Sequence, residues 1–198
     1  MDERVTFLDE PERSEVQERF YDADVESDGY VGNLTHLWCW RADVYERFIE
    51  LRGLVTSVST LTTREVAVLV TATAAERGDS YCSLAWGARL ASLSDESTAA
   101  DLIAGKDDAG ALSQRERLLG EWARQVVRDP NVTTAADVEQ LRLAGLSDRE
   151  IFEATAFVAL RLAFSTVNDA LGAAPDGELA AEVPEQVRAA VTFGRPPA

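Results

Sequence analysis

Three features of the sequence predict an all-α fold. Apolar residues recur at spacings of three and four along most of the chain, and strand-like alternation punctuated by Asn-Gly turns is missing. One helix-opening signature also occurs three times, as Leu61-Thr62-Thr63-Arg64-Glu65, Leu112-Ser113-Gln114-Arg115-Glu116 and Leu146-Ser147-Asp148-Arg149-Glu150. In each copy the Ser or Thr hydroxyl is placed to accept from the amide three residues on. The Glu can reach back to the cap amide, and the preceding Leu can pack on the first turn.

Taken in order, the first forty residues read as peripheral. The helix opened by Thr62 carries Val66, Val68, Leu69, Val70, Ala72 and Ala74, apolar on most sides and therefore expected at the centre. Gly78 ends it, and Asp79 is placed to cap a following helix whose first turn is Ser80, Tyr81 and Cys82. Ser94 to Gly110 reads as a short polar helix and loop joining two helical halves, which are left open as pseudo-repeats. From Leu146 to Leu171 a long apolar face, Ile151, Ala154, Phe157, Val158, Leu160, Leu162, Ala163 and Val167, predicts a second core helix ending at Gly172. The tail Pro184 to Ala198 again reads as peripheral. The expectation is one domain over residues 1–198 with core helices at about 61–92 and about 112–172.

Composition narrows the function. The chain has 198 residues, enough to bury a sizeable core, and 19 basic against 35 acidic residues give a net charge of −16. That balance disfavours nucleic acid and anionic lipid as partners. No uncharged apolar run of about 18 residues predicts a membrane span, and Met1-Asp2-Glu3-Arg4 does not look like a secretory start, so the chain reads as cytoplasmic. One histidine and two scattered cysteines offer no zinc spacing, and neither a glycine-rich phosphate loop nor a Gly-x-Ser-x-Gly elbow occurs, so no metal or cofactor is expected. Cys39 and Cys82 do not make a disulfide framework; each is a buried small hydrophobe or a reactive thiol. At the third helical position, Cys82 feels amides and dipole that lower a thiol pKa, while Asp79 one turn away raises it, which leaves the net direction open.

The stretch Leu61 to Gly87 resembles the core of the alkylhydroperoxidase D and carboxymuconolactone decarboxylase superfamily, most closely its peroxidase-related branch. Gly29-Tyr30-Val31-Gly32-Asn33 is similar to that branch's opening Gly-Tyr/Phe-Val-Pro-Asn segment. Ala163-Phe164-Ser165-Thr166-Val167-Asn168-Asp169-Ala170-Leu171-Gly172 is similar to its terminal Phe-x-x-x-Asn-x-x-x-x-Gly helix, one residue shorter between Asn168 and Gly172. The resemblance implies an all-α alkylhydroperoxidase D-like bundle, a homo-oligomer, and thiol chemistry by a Glu, a Cys-x-x-Cys pair and a His. In the family the second cysteine attacks a hydroperoxide, Glu and His relay its proton, and the first cysteine resolves the sulfenic acid.

Laid over this chain, those four positions fall on Ala67, Asp79, Cys82 and Trp86, so only the attacking cysteine is kept. Glu65 lies two residues from Ala67, on the other side of its helix, and already has a capping role. Glu76 reads first as a solvated charge and second as a relay group. Asp79 reads first as a cap and second as a base. Tyr81 and Trp86 are pocket candidates, with Trp86 filling the space of an imidazole. His36 sits in sequence beside Trp38, Cys39 and Trp40, a cluster able to wall a pocket, and reads first as structural. The expected function is a peroxidase-related, antioxidant oxidoreductase with a degenerate redox motif. Cys82 would be its sole nucleophile, an external thiol its resolving agent, and a hydroperoxide or small organic ligand its partner. The alternatives are an inactive small-molecule-binding oligomer and a carboxymuconolactone decarboxylase-like enzyme.

Overall fold

The computed structural model describes residues 5–106 and 110–198, and no strand occurs among them. Its helices are α1 (Glu15–Asp28), α2 (Asn33–Trp38), α3 (Ala42–Ser57), α4 (Thr63–Arg77), α5 (Ser80–Leu93), α6 (Glu96–Ile103), α7 (Gln114–Arg128), α8 (Ala135–Leu143), α9 (Asp148–Ala170), α10 (Gly177–Glu182) and α11 (Glu185–Ala190).

All three expected capping boxes form, with both arms made, and start α4, α7 and α9. Two more, at Ser14 with Gln17 and at Thr134 with Asp137, open α1 and α8. The repeated signature does more than cap, because its arginines tie the helix starts together. Arg115 at the head of α7 reaches Glu65 of the α4 box at 2.5 Å and Glu150 of the α9 box at 2.6 Å. Arg64 of α4 reaches back to Glu116 of the α7 box at 2.9 Å. Each Glu thus serves its own cap and a neighbouring helix.

Arg115→Met is expected to cost about 1–3 kcal/mol by leaving two charged acceptors short of a donor. Burial would raise the Glu150 carboxyl, but the Ser147 amide and Arg115 outweigh it and hold the group at about 2. A lowered native pKa contributes stability that is complete above the ordinary carboxylate value and is lost as pH falls toward 2. Acid unfolding of the variant, followed by circular dichroism, should therefore begin at higher pH than in the wild type.

α4 is the centre of the molecule, with Ala67, Val68, Leu69 and Ala72 all at 0% exposure. It packs against α5, α7 and α9. A helix enclosed on all sides needs apolar residues all round, and that explains its lack of a polar face. α6 keeps Glu96 and Ser97 outward while burying Ala99, Leu102 and Ile103, so the segment expected as a polar connector contributes to the core. The loop expected after it includes 107–109, which lie outside the described residues.

Among the described residues, both segments expected as peripheral send side chains into a core. Val183, in the extended link between α10 and α11, and Val187 of α11 enter the main core, and α11 packs on α6 and α5. Pro184, which in the sequence suggests a loose tail, stands just before α11, where its fixed φ suits a helix start. Gly87 of α5 allows this approach, because a Cβ there would lie 2.7 Å from Val187 Cγ1 and 2.8 Å from Ile103 Cδ1. At the other end, Leu37 and Trp38 form a second core with Phe164, Ala74 and Cys82. Each outer segment of the family resemblance is tied to residues next to the other: Asn33 Nδ2 donates to Ala174 O at 2.9 Å, and Trp38 Nε1 donates to Asn168 Oδ1 at 2.8 Å.

Candidate thiol site

Gly78 adopts a positive φ of 81° that ends α4 and turns the chain directly into α5. Asp79, at 0% exposure, caps that helix: its Oδ1 accepts from the Cys82 amide at 2.9 Å and its Oδ2 from Ser165 Oγ at 2.5 Å. Cys82 is thereby fixed in the first turn of α5 with its sulfur buried. Facing it from α9, Arg161 donates through Nη2 to Cys82 Sγ at 3.0 Å. Its guanidinium also lies 5.5 Å from the Trp86 ring centroid and 5.3 Å from that of Phe164.

The positions that build the site follow helix geometry. Cys82 and Trp86 share a face of α5 at i, i+4, and Arg161, Phe164, Ser165 and Asn168 share a buried face of α9 at i, i+3, i+4 and i+7. From α3 come Tyr45, Phe48 and Arg52, and from α2 comes Trp38. Trp38, Phe48 and Phe164 stack with centroids 5.2–5.9 Å apart and planes within 14–28° of one another. The Arg52 guanidinium stands 5.3 Å from the Phe164 ring, so this ring contacts two cations.

Burial pushes the Cys82 thiol up to about 12; Arg161 opposes the rise, while the charge of Asp79 and its hydrogen bond to the thiol add to it. The direction left open by the sequence is upward, and the resting sulfur is protonated. Arg52 is shifted down by burial and then by repulsion from Arg161. The sulfur accordingly sits between a carboxylate able to hold its proton and a guanidinium able to hold the negative charge left behind. Arg161, which is neither one of the four overlay positions nor one of the candidates read from the sequence, is the ionisable side chain that stands against the sulfur. Sequence reasoning misses this residue because Leu160 and Leu162 flank it in an apolar run. The buried face at this end of α9 is instead the polar row Arg161, Ser165 and Asn168, with Ala163 exposed and Leu160, Leu162 and Val167 half-buried. A lone cation within an apolar helical pattern is the signal that could have found it.

The other candidates are dispersed. Tyr81 donates to Asp176, which also accepts from the Asn33 amide at 2.8 Å, in a buried link between α5, α2 and the loop before α10. His36 lies between α1 and the N-terminal segment, its Nδ1 3.0 Å from Tyr21 Oη and 3.2 Å from Glu10. Glu76 is held by Arg128 at 2.6 Å and by Arg124 at 3.6 Å, ion pairs that take it away from the sulfur. Cys39 is buried and free, with Asp24 and Glu10 as its nearby charges, and makes no pair with Cys82. Ala67 is enclosed in the main core. Among the described residues no group of His, Cys, Asp and Glu is arranged to hold a metal ion, and no helix is long and apolar enough to cross a membrane.

No protein-family model and no curated protein matches the sequence. Solved structures match the fold. An uncharacterized peroxidase-related protein from Ralstonia eutropha JMP134, described as an alkylhydroperoxidase AhpD core, superposes with a TM-score of 0.77 at 23% identity, covering 88% of this chain and 94% of that one. An uncharacterized peroxidase-related protein from Silicibacter sp. TM1040 gives 0.79 at 22% identity, covering 89% and 95%. The debrominase Bmp8 gives 0.70 at 13% identity, covering 96% and 99%. A cysteine-to-alanine variant of Bmp8 in complex with 2,3,4-tribromopyrrole gives 0.66 at 14% identity, covering 93% and 95%.

Proposed function

We propose that this chain, which has the all-α helical fold of the alkylhydroperoxidase AhpD core, is a thiol-dependent oxidoreductase that reduces hydroperoxides with Cys82 as its nucleophile. The observation that carries this reading is the 3.0 Å contact from Arg161 Nη2 to Cys82 Sγ inside a buried site. An attacking thiolate needs a fixed positive partner to lower the cost of its charge, and Arg161 supplies one where the family pattern has a histidine relay. The sulfur attacks the distal peroxide oxygen and the O–O bond breaks. The thiol proton ends on the leaving alkoxide, giving Cys82 sulfenic acid and an alcohol. An external thiol then displaces water to form a mixed disulfide, and a second thiol releases Cys82. Cys39 takes no part, since it does not reach Cys82.

A second reading, reductive dehalogenation of a halogenated aromatic, is favoured by the flat aromatic wall of Trp38, Phe48 and Phe164 beside the thiol and by the likeness to Bmp8. We also read the chain as self-associating, because Val44, Leu51, Leu54 and Val58 form an exposed apolar row along the outer side of α3 and its end.

The reading is tested by treating the protein with hydrogen peroxide and dimedone and locating the adduct by mass spectrometry. An adduct on Cys82, absent from Cys82→Ser and unchanged in Cys39→Ser, is expected. Hydroperoxide consumption that is equal in wild type and Cys82→Ser overturns it. Bromide release from a brominated pyrrole without peroxide consumption selects the second reading.

A further inference from the structure

The thiol site holds more positive charge than the protein neutralises. Arg161 is only 4% exposed, its Nη2 is used on Cys82, and its Nε has no hydrogen-bond partner. Arg52, on the inward face of α3, pairs with no carboxylate among the described residues and rests against Phe164. Asp79 is the carboxylate beside this sulfur, and both of its oxygens are engaged, by the Cys82 amide and by Ser165. Two guanidiniums therefore face one carboxylate while the thiol keeps its proton. A buried cation lacking a counter-ion is costly unless something else neutralises it.

We propose that the seam between α3 and α9 binds a small aromatic carboxylate, its charge held by Arg52 and Arg161 and its ring laid against the aromatic wall of Trp38, Phe48 and Phe164. This rests on Cys82 being the reactive centre and deepens that reading by naming the class of molecule brought to it. The guanidinium fork suits a planar carboxylate, which accepts through two oxygens in the plane of the fork, and the free Nε of Arg161 supplies an unused donor. Trp38, Phe48 and Phe164 make the surroundings of the two guanidiniums apolar, which favours a hydrocarbon body over a hydrated oxyanion such as phosphate. An anion here also relieves the mutual repulsion of the two arginines.

The test uses benzoate as the probe on the full chain carrying Cys82→Ser, so that binding is read apart from thiol chemistry. Trp38 and Trp86 border the site and report through tryptophan fluorescence. Saturable quenching by benzoate is expected, with benzamide, the neutral counterpart, and acetate, which lacks the ring, each at least tenfold weaker. Arg52→Gln should weaken benzoate at least tenfold while its circular dichroism and melting curve stay those of the parent. In the wild type, saturating benzoate should slow dimedone capture at Cys82.

Equal affinity for benzoate and benzamide, unchanged affinity in a folded Arg52→Gln protein, or no saturable quenching overturns the proposal. If Cys82 is labelled by dimedone but benzoate does not bind, the ligand proposal fails and the thiol reading stands. If benzoate binds through Arg52 but Cys82 is never oxidised, the thiol reading fails and the ligand site stands.

Discussion

Arg161→Met should slow alkylation of Cys82 by iodoacetamide about ten- to a hundredfold at fixed pH, with the melting temperature nearly unchanged. The substitution removes a hydrogen bond from a charged donor to the sulfur, worth about 1.5–3 kcal/mol when the acceptor is also charged. At about 1.4 kcal/mol per tenfold, this moves the thiolate population by one to two decades. Stability is expected to respond differently. Met fills a similar volume against Trp86 and Phe164, and replacing a buried charge whose Nε lacks a partner with an apolar side chain is often neutral or stabilising. A merely structural arginine would show the reverse pattern, a lower melting point and an unchanged alkylation rate. Alkylation timed by mass spectrometry across a pH series separates the two, because only loss of charge stabilisation moves the whole rate profile to higher pH. Arg161→Lys should recover part of the rate, since it restores the charge without the planar fork.

The skeleton of this molecule is readable because its signals are local. A Ser or Thr followed three residues later by Glu specifies a cap by covalent reach alone, and Thr62, Ser113 and Ser147 form the boxes their spacing predicts. Gly78 and Asp79 likewise fix the break between α4 and α5. The site is only half readable, because its other half comes from packing. Arg161 lies 79 positions from Cys82 and Arg52 comes from a third helix, and no spacing rule connects positions so far apart. Periodicity misleads for a physical reason as well. On α9 it selects Leu160, Leu162 and Ala163 as the buried face, whereas the site end buries a polar row paired with α5 and α2. The tail fails similarly: Val187 alone is too short a pattern to announce a core contact, yet Gly87 leaves room for it.

Asp79→Asn is expected to act in the opposite direction from Arg161→Met, raising the alkylation rate of Cys82 about tenfold at fixed pH. Asn keeps an oxygen for the Cys82 amide and caps helices about as well as Asp, and its amide can donate to Ser165 Oγ, so α5 should remain anchored. What disappears is a negative charge beside the sulfur and the acceptor that holds the thiol proton, both of which raise the thiol. The native thiol is pushed from an ordinary 9.0 up to about 12, so above pH 9 the unfolded chain gives up this proton while the folded chain keeps it. Stability contributed by the protonated thiol is therefore complete below pH 9 and is lost as pH rises toward 12. In Asp79→Asn that loss should stop at a lower pH, seen as a shallower decline of urea stability on the alkaline side.

A second group reports the same charge. Asp169 is raised to about 6 by burial and then by Asp79, and removing the Asp79 charge should bring it back toward 3.8. Its raised pKa makes wild-type stability fall as pH climbs from about 4 to 6, and the variant should lose the part of that slope that Asp79 contributes, while burial keeps the rest. Hydroperoxide turnover then separates two roles of Asp79. Faster alkylation with faster turnover marks a carboxylate that only restrains the thiol, whereas faster alkylation with slower turnover marks one whose proton transfer the peroxide reaction uses. The Asp79 carboxylate, fixed beside the thiol by the Cys82 amide, is placed as a base for it, and that predicts the second pattern.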